Sequence, residues 1–398
     1  MANFKISSRI AEMHESATLK MAQLARELSV KGIDIINLSL GEPDFMTPIH
    51  ISEKAKEAID QGFTKYTPVA GTLEIREVIS HKFLRDNQLH YAPDQILVSN
   101  GAKQSFANLC FAMLNPGDEV LVFAPYWVSY FEIIKMAGGV PVVVPSLVEN
   151  DYKPKMQDIH DRITSKTRMM IFSSPCNPTG TVFQQKDLED IADVFKKYPD
   201  ILVVSDEIYE YIIFDQKHIS IGSLPTMNER TVTINGFSKG FSMTGWRLGY
   251  MGGPKEVIKA CIKVQGQFTS GAASFTQKAG AFALNSDLGP THEMCDAFKN
   301  RRNVLLEEVK KITDWKVNYP QGAFYILPKV DACFGKTIAG RLIQNADDLA
   351  MLLLEDAHVA LVSGDAFGAP DCIRISYSLS EDKIREAIRR IARTLDKV

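Results

Sequence analysis

Between about residue 95 and residue 235 the chain keeps returning to one pattern: a short run dominated by Val, Ile and other apolar residues, then a stretch long enough for a helix. The runs are Ile96–Val98, Val120–Phe123, Val140–Val144, Met169–Phe172, Ile201–Ser205 and Val232–Ile234. A strand that is apolar along its whole length has no face to offer water, so it belongs in a parallel sheet covered on both sides. Strands alternating with helices predict a doubly wound α/β architecture. In such sheets ligands bind beyond the carboxyl ends of the strands, which directs the search for chemistry to the residues just after each run.

The flanking segments read differently. A helix is expected from about Thr18 to Lys31, with Met21, Leu24, Ala25 and Leu28 at helical spacing and Gly32 placed to stop it. The run Ile33–Leu40 reads as a strand leading into Gly41-Glu42-Pro43-Asp44, and Pro48 and Gly62 bracket a second helix. After about residue 285 come a charged helix to about Lys311, short strands at Ala323–Leu327, Val359–Ser363 and Ile373–Tyr377, and a final helix from Ser380. A chain of 398 residues exceeds what one core usually serves. We therefore expect a large domain over 46–284 and a smaller α+β domain formed by 1–45 together with 285–398.

Several function classes are disfavoured. A net charge of -3 and the lack of a dense Lys/Arg block argue against a nucleic-acid partner. No apolar run reaches membrane-spanning length, and the first residues lack the apolar core of a secretory signal. The six cysteines are scattered, as in reduced, cytoplasmic proteins. The histidines show no metal-ligand spacing, so no metal is expected. Phe334-Gly335-Lys336-Thr337 imitates the end of a nucleotide-binding loop, but Val330 stands where its first glycine belongs.

The informative residues follow the strands. In the block Asn235 to Tyr250, Lys239 lies among small and hydroxylated residues; Ser238 and Arg247 could hold a phosphate, the arginine through a bidentate pair. A lysine in a partly buried, cation-rich place has a depressed pKa and is nucleophilic enough for imine chemistry. Asp206, in Ser205-Asp206-Glu207-Ile208-Tyr209, is either a helix cap or surface acid, or the partner of a protonated pyridine nitrogen, with Tyr209 pointing into the same pocket. Asn177 stands in a proline-rich turn that any fold could use. Gly101-Ala102 opens a helix whose first amides could bind an anion, or is a plain strand-to-helix turn. Trp127 is either core or a ring that stacks on a flat ligand. Arg374, among apolar strand residues, needs an anionic partner: an internal salt bridge or a substrate carboxylate.

Taken in order, Leu40-Gly41-Glu42-Pro43-Asp44-Phe45, Lys65-Tyr66-Thr67-Pro68, Pro125-Tyr126-Trp127-Val128-Ser129-Tyr130, Asn177-Pro178-Thr179-Gly180, Asp206-Glu207-Ile208-Tyr209, Ser238-Lys239 and Arg374-Ile375-Ser376 resemble the class I aminotransferases of fold type I, most closely the bacterial aspartate aminotransferase branch. The resemblance implies a large domain built on a mostly parallel seven-stranded sheet. It also implies pyridoxal 5'-phosphate (PLP) held as an imine on Lys239, with Asp206 at the ring nitrogen. Asn177 and Tyr209 would meet the phenolic oxygen, Trp127 the ring face, and Gly101, Ala102, Ser238 and Arg247 the phosphate. Tyr66 would reach the phosphate of a neighbouring subunit, so a homodimer with shared sites is expected. Arg374, Gly41, Trp127 and Asn177 would contact the substrate, Lys103 its side-chain carboxylate, and Thr18 would stand near the entrance. The implied reaction is ping-pong transamination of an L-amino acid, aspartate first, with 2-oxoglutarate. Alternatives on the same scaffold are an aromatic or prephenate/glutamate aminotransferase and a β-eliminating lyase. His14 and Glu15 depart from the basic residue and proline often found there in related enzymes.

Overall fold

The computed structural model describes residues 4–397. Seven strands form the central sheet: β1 (Ile96–Ser99), β2 (Glu119–Phe123), β3 (Val140–Val144), β4 (Thr167–Ser173), β5 (Leu202–Asp206), β6 (Thr231–Gly236) and β7 (Gly249–Gly252). Their spatial order is β1-β7-β6-β5-β4-β2-β3. β7 runs antiparallel to both of its neighbours, and the other adjacent pairs are parallel. The sheet is the expected mostly parallel one, buried on both faces. Val120 and Val122 of β2 pack into one apolar cluster, while Leu121 and Phe123 pack into another on the opposite face. Every residue of β1, β5 and β6 is buried.

β7 is the strand that hydrophobic patterning does not show. Both of its end residues are glycines, and the reason is close packing. A Cβ on Gly249 would lie 2.3 Å from the Ala102 backbone nitrogen, and one on Gly252 2.5 Å from the Tyr91 ring. The strand thus trades propensity for a tight approach to the start of the helix after β1.

Helix α1 (Ala17–Val30) sets Met21 and Ala25 against Ala350, Leu354 and Ala360. Helix α2 (Ala102–Met113) follows β1, and α3 (Val128–Met136) follows β2. Helix α4 (Gly289–Val309) and the final helix α5 (Glu381–Leu395) pack against one another and close a second apolar core. That core includes Ile36 and Leu38 from the N-terminal segment. The strand expected over Ile33–Leu40 shrinks to Ile36–Asn37, paired in parallel with Val359–Ala360. The run Val359–Ser363 is interrupted at Leu361 and contributes to two separate sheets. In the second of these, β8 (Tyr325–Ile326), β9 (Val362–Ser363) and β10 (Ile373–Ser376) lie in the order β9-β10-β8. The Ser376 N–H donates to Leu38 O at 2.9 Å, tying the first forty residues to the last thirty. No helix among the described residues is long and apolar enough to cross a membrane.

Candidate active site

The parallel strands deliver their chemistry to one end of the sheet. Asp206 is the last residue of β5, Lys239 follows β6, Asn177 follows β4, Trp127 follows β2 and Ala102 follows β1. Lys239, Asp206, Asn177, Tyr209, Trp127 and Arg374 all line one cavity of about 280 Å³. Gly41, Ala102, Lys103, Thr18, Ser238 and Arg247 also border it.

Asp206 is 6% exposed and forms no ion pair among the described residues. Its carboxylate accepts from the Tyr130 hydroxyl and, at 3.2 Å, from the Ile208 N–H. Burial outweighs these donors and raises its pKa to about 6. It is a buried carboxylate without a cationic partner among the described residues, not a surface acid. Lys239, partly buried, donates from Nζ to Gly41 O at 2.5 Å. Burial lowers its pKa to about 8; Arg247 and Arg374 push the same way, and Glu42 and Asp206 oppose them. The depressed amine expected from the sequence is therefore present, with burial as its largest cause.

Arg374, 2% exposed, is open from the sequence to two readings, an internal salt bridge or a substrate carboxylate. Among the described residues it has no anionic partner, so the internal salt bridge is absent. Its Nη1 donates to Asn177 Oδ1 at 3.0 Å and its Nη2 to Ser39 O at 2.6 Å, while Nε has no partner. The guanidinium lies over the Tyr325 and Phe367 rings, 4.7 and 4.8 Å from their centroids. Cation–π contact and two neutral acceptors hold it in place, and its charge stays uncompensated.

A third basic region sits at the start of α2. Gly101 adopts φ +86°, which strains any residue with a side chain, and a Cβ there would fall 2.4 Å from Arg247 Nη2 and force that guanidinium to move. The first amides of α2 have no helical acceptor, and the helix dipole adds positive potential. Arg247 bonds only to the backbone carbonyls of Thr244, at 2.8 Å, and Asn100, at 3.4 Å. Ser238 is buried at the same edge. Lys103 lies 5.0 Å from the Trp127 ring centroid, its pKa lowered by burial and by Arg247.

Two expected site residues lie outside the cavity lining: Gly101, which stands directly before Ala102 at its border, and Tyr66, which is 99% exposed and is not brought in by this chain. Sequence reasoning missed Tyr130 and Tyr325. Tyr130, the third residue of α3, was given no role of its own, and its bond to Asp206 spans 76 residues. Tyr325 meets Tyr209 hydroxyl to hydroxyl at 2.8 Å across 116 residues, with no local signal for either. Behind Asp206, Glu207, Glu210 and His218 converge, but Lys82 pairs with Glu210 and donates to Asn87 Oδ1 at 2.6 Å, supplying the cation that cluster needs.

Residues 33–391 match the family model for aminotransferase class I and II. The chain belongs to that family. An aspartate aminotransferase of Pinus pinaster is 45% identical over 99% of this chain and 81% of that protein. An aspartate/prephenate aminotransferase of Nitrosomonas europaea is 40% identical over 98% of this chain and 100% of its own. Among solved structures, the aspartate aminotransferase of Rhizobium meliloti superposes with a TM-score of 0.96 at 38% identity, covering 99% of this chain and 100% of that one. This aminotransferase is of the aspartate aminotransferase type, has fold type I, acts on amino acids and 2-oxo acids and depends on PLP. The cavity fits that cofactor. It offers a free amine for an aldehyde, a buried carboxylate without a cation for a basic ring nitrogen, and a helix start beside Arg247 for a phosphate.

Proposed function

We propose that this aminotransferase exchanges the amino group of L-aspartate with 2-oxoglutarate, giving oxaloacetate and glutamate, and that the residues named above divide the work as follows. The observation carrying the assignment is that Lys239 and Asp206, thirty-three positions apart, border one cavity with a carboxylate-free Arg374. PLP supplies, when bound, an aldehyde for an amine and a ring that accepts the electrons released at the substrate's Cα. Asp206 holds positive charge at the ring nitrogen. Asn177 and Tyr209 bond the phenolic oxygen, and Trp127 covers the ring. The amides of Gly101 and Ala102, with Ser238 and Arg247, take the phosphate. Arg374 grips the substrate α-carboxylate in a bidentate pair, and the backbone of Gly41 closes that end. With a pKa of about 8, Lys239 has a neutral fraction near neutral pH, so its Nζ can take the Cα proton and return it.

The preference for a dicarboxylic substrate rests on Lys103. Like Lys239, Arg247 and Arg374, it borders the cavity without an ion-pair partner among the described residues, and Thr18 borders the same cavity. A larger substrate of the prephenate kind is the second reading. The cavity adjoins a wider one of about 770 Å³, lined in part by His14, Glu15, Ser16 and Lys103. The exposed Tyr66 supports a homodimer in which each subunit completes its neighbour's phosphate site. We assign 46–284 to the cofactor-binding domain and 1–45 with 285–398 to the smaller one, in a cytoplasmic enzyme. Mixing purified protein with aspartate should bleach the bound cofactor's near-visible band and release oxaloacetate. Release of ammonia instead would identify a lyase, and Lys239→Ala retaining near-normal turnover would refute the site.

A further inference from the structure

Tyr209 and Tyr325 are both buried, and each hydroxyl has one proton to give. They face each other at 2.8 Å, so one donates and the other accepts. Tyr325 comes from β8, beside the strand that carries Arg374, whereas Tyr209 follows β5 and Asp206. The direction follows from the assignment of Tyr209: once its single proton goes to the cofactor's phenolic oxygen, only the Tyr325 proton is left to make this bond. Burial pushes the Tyr209 phenol well above its ordinary pKa of 10, and Tyr325 itself adds to that rise. Burial raises Tyr325 as well, and Arg374, whose guanidinium lies over the Tyr325 ring, opposes the rise at both hydroxyls. The Tyr325 hydroxyl has no other hydrogen-bond partner among the described residues.

We infer that Tyr325 is a positioning residue that donates its proton to Tyr209 and so commits the Tyr209 proton to the cofactor's phenolic oxygen. The inference rests on the assignment of Tyr209 above and extends it one residue outward. Tyr325 touches Tyr209 and Arg374 alike, so the same side chain steadies both the tuning of the cofactor and the grip on the substrate carboxylate. Gly41 belongs to the device, since a Cβ there would lie 2.6 Å from the Tyr325 hydroxyl.

A donor on the phenolic oxygen draws charge from it and weakens the hold of the neighbouring Lys239 nitrogen on its proton. The pH midpoint of the holoenzyme's near-visible absorbance reports that hold. Tyr209→Phe should raise the midpoint by about 1–2 units, the worth of one hydrogen bond to a charged acceptor. Tyr325→Phe keeps the ring over Arg374 and removes only the relay. Because a donor behind a bond strengthens it by roughly 10–30%, the midpoint should rise by ~0.1–0.7 unit. In the Tyr209→Phe background, Tyr325→Phe should add nothing. A midpoint unmoved by Tyr325→Phe alone would overturn the inference. So would an equal shift in the Tyr209→Phe background, which would route the effect through Arg374 or Gly41. If Tyr209→Phe itself leaves the midpoint in place, the Tyr209 assignment fails and takes the relay with it.

Discussion

Asp206→Asn separates what a buried charge costs the fold from what it does for the chemistry. The carboxyl's pKa rises from 3.8 to about 6 in the folded chain without cofactor. At about 1.4 kcal/mol per unit, the charged form costs the fold about 3 kcal/mol. The sign follows from linkage: a carboxyl raised on folding favours the native state at pH below 3.8, and that advantage is lost as pH rises through about 6. Asparagine carries no charge, and its Oδ1 can still accept from Tyr130 and Ile208. Cofactor-free Asp206→Asn should therefore be more stable than the parent at pH 8, by up to ~3 kcal/mol, with the difference shrinking toward zero near pH 4. Urea unfolding of both cofactor-free proteins at the two pH values measures it, because other titrating groups cancel between them. The same variant should lose PLP affinity and turnover by about 10²-fold or more, since the charge pair with the ring nitrogen is gone. A variant no more stable than the parent at pH 8, or one within a few-fold of normal turnover, would refute the reasoning.

Two further substitutions probe the other ends of the cavity. Arg374→Lys keeps the charge but cannot form the bidentate pair, so KM for both the amino acid and the 2-oxo acid should rise about 10–100-fold, which steady-state kinetics with each substrate would detect. Gly101→Ala drives a Cβ to 2.4 Å from Arg247 at a φ of +86°. It should loosen the cofactor at least about tenfold, read as faster loss of absorbance on dialysis, and unchanged retention would remove the phosphate assignment.

Much of this protein was readable from local pattern. The runs that became β1, β2, β4, β5 and β6 are apolar on both faces because both faces are covered, and that alone locates the reactive end of the sheet; β3, at the edge, is only partly covered. Lys239, Asp206, Asn177, Trp127 and Ala102 each follow such a run, which is why they could be named in advance. Gly249 to Gly252 could not be, because glycines chosen for close approach erase the periodicity that marks a strand. The length of Ile33–Leu40 was overread, because only Ile36 and Asn37 pair in register with a strand, Val359–Ala360.

Local chemistry along the chain thus determined which groups stand at the sheet's edge and that an amine and an acid are among them. Only the tertiary structure decided their state. Arg374 could have been neutralised by any acid, and the fold gives it an amide, a carbonyl and two aromatic faces instead. Tyr130 and Tyr325 acquire their roles from bonds spanning 76 and 116 residues. A charge's partners and a hydroxyl's direction depend on which groups the fold brings within about 3 Å, and spacing along the chain carries no record of that distance.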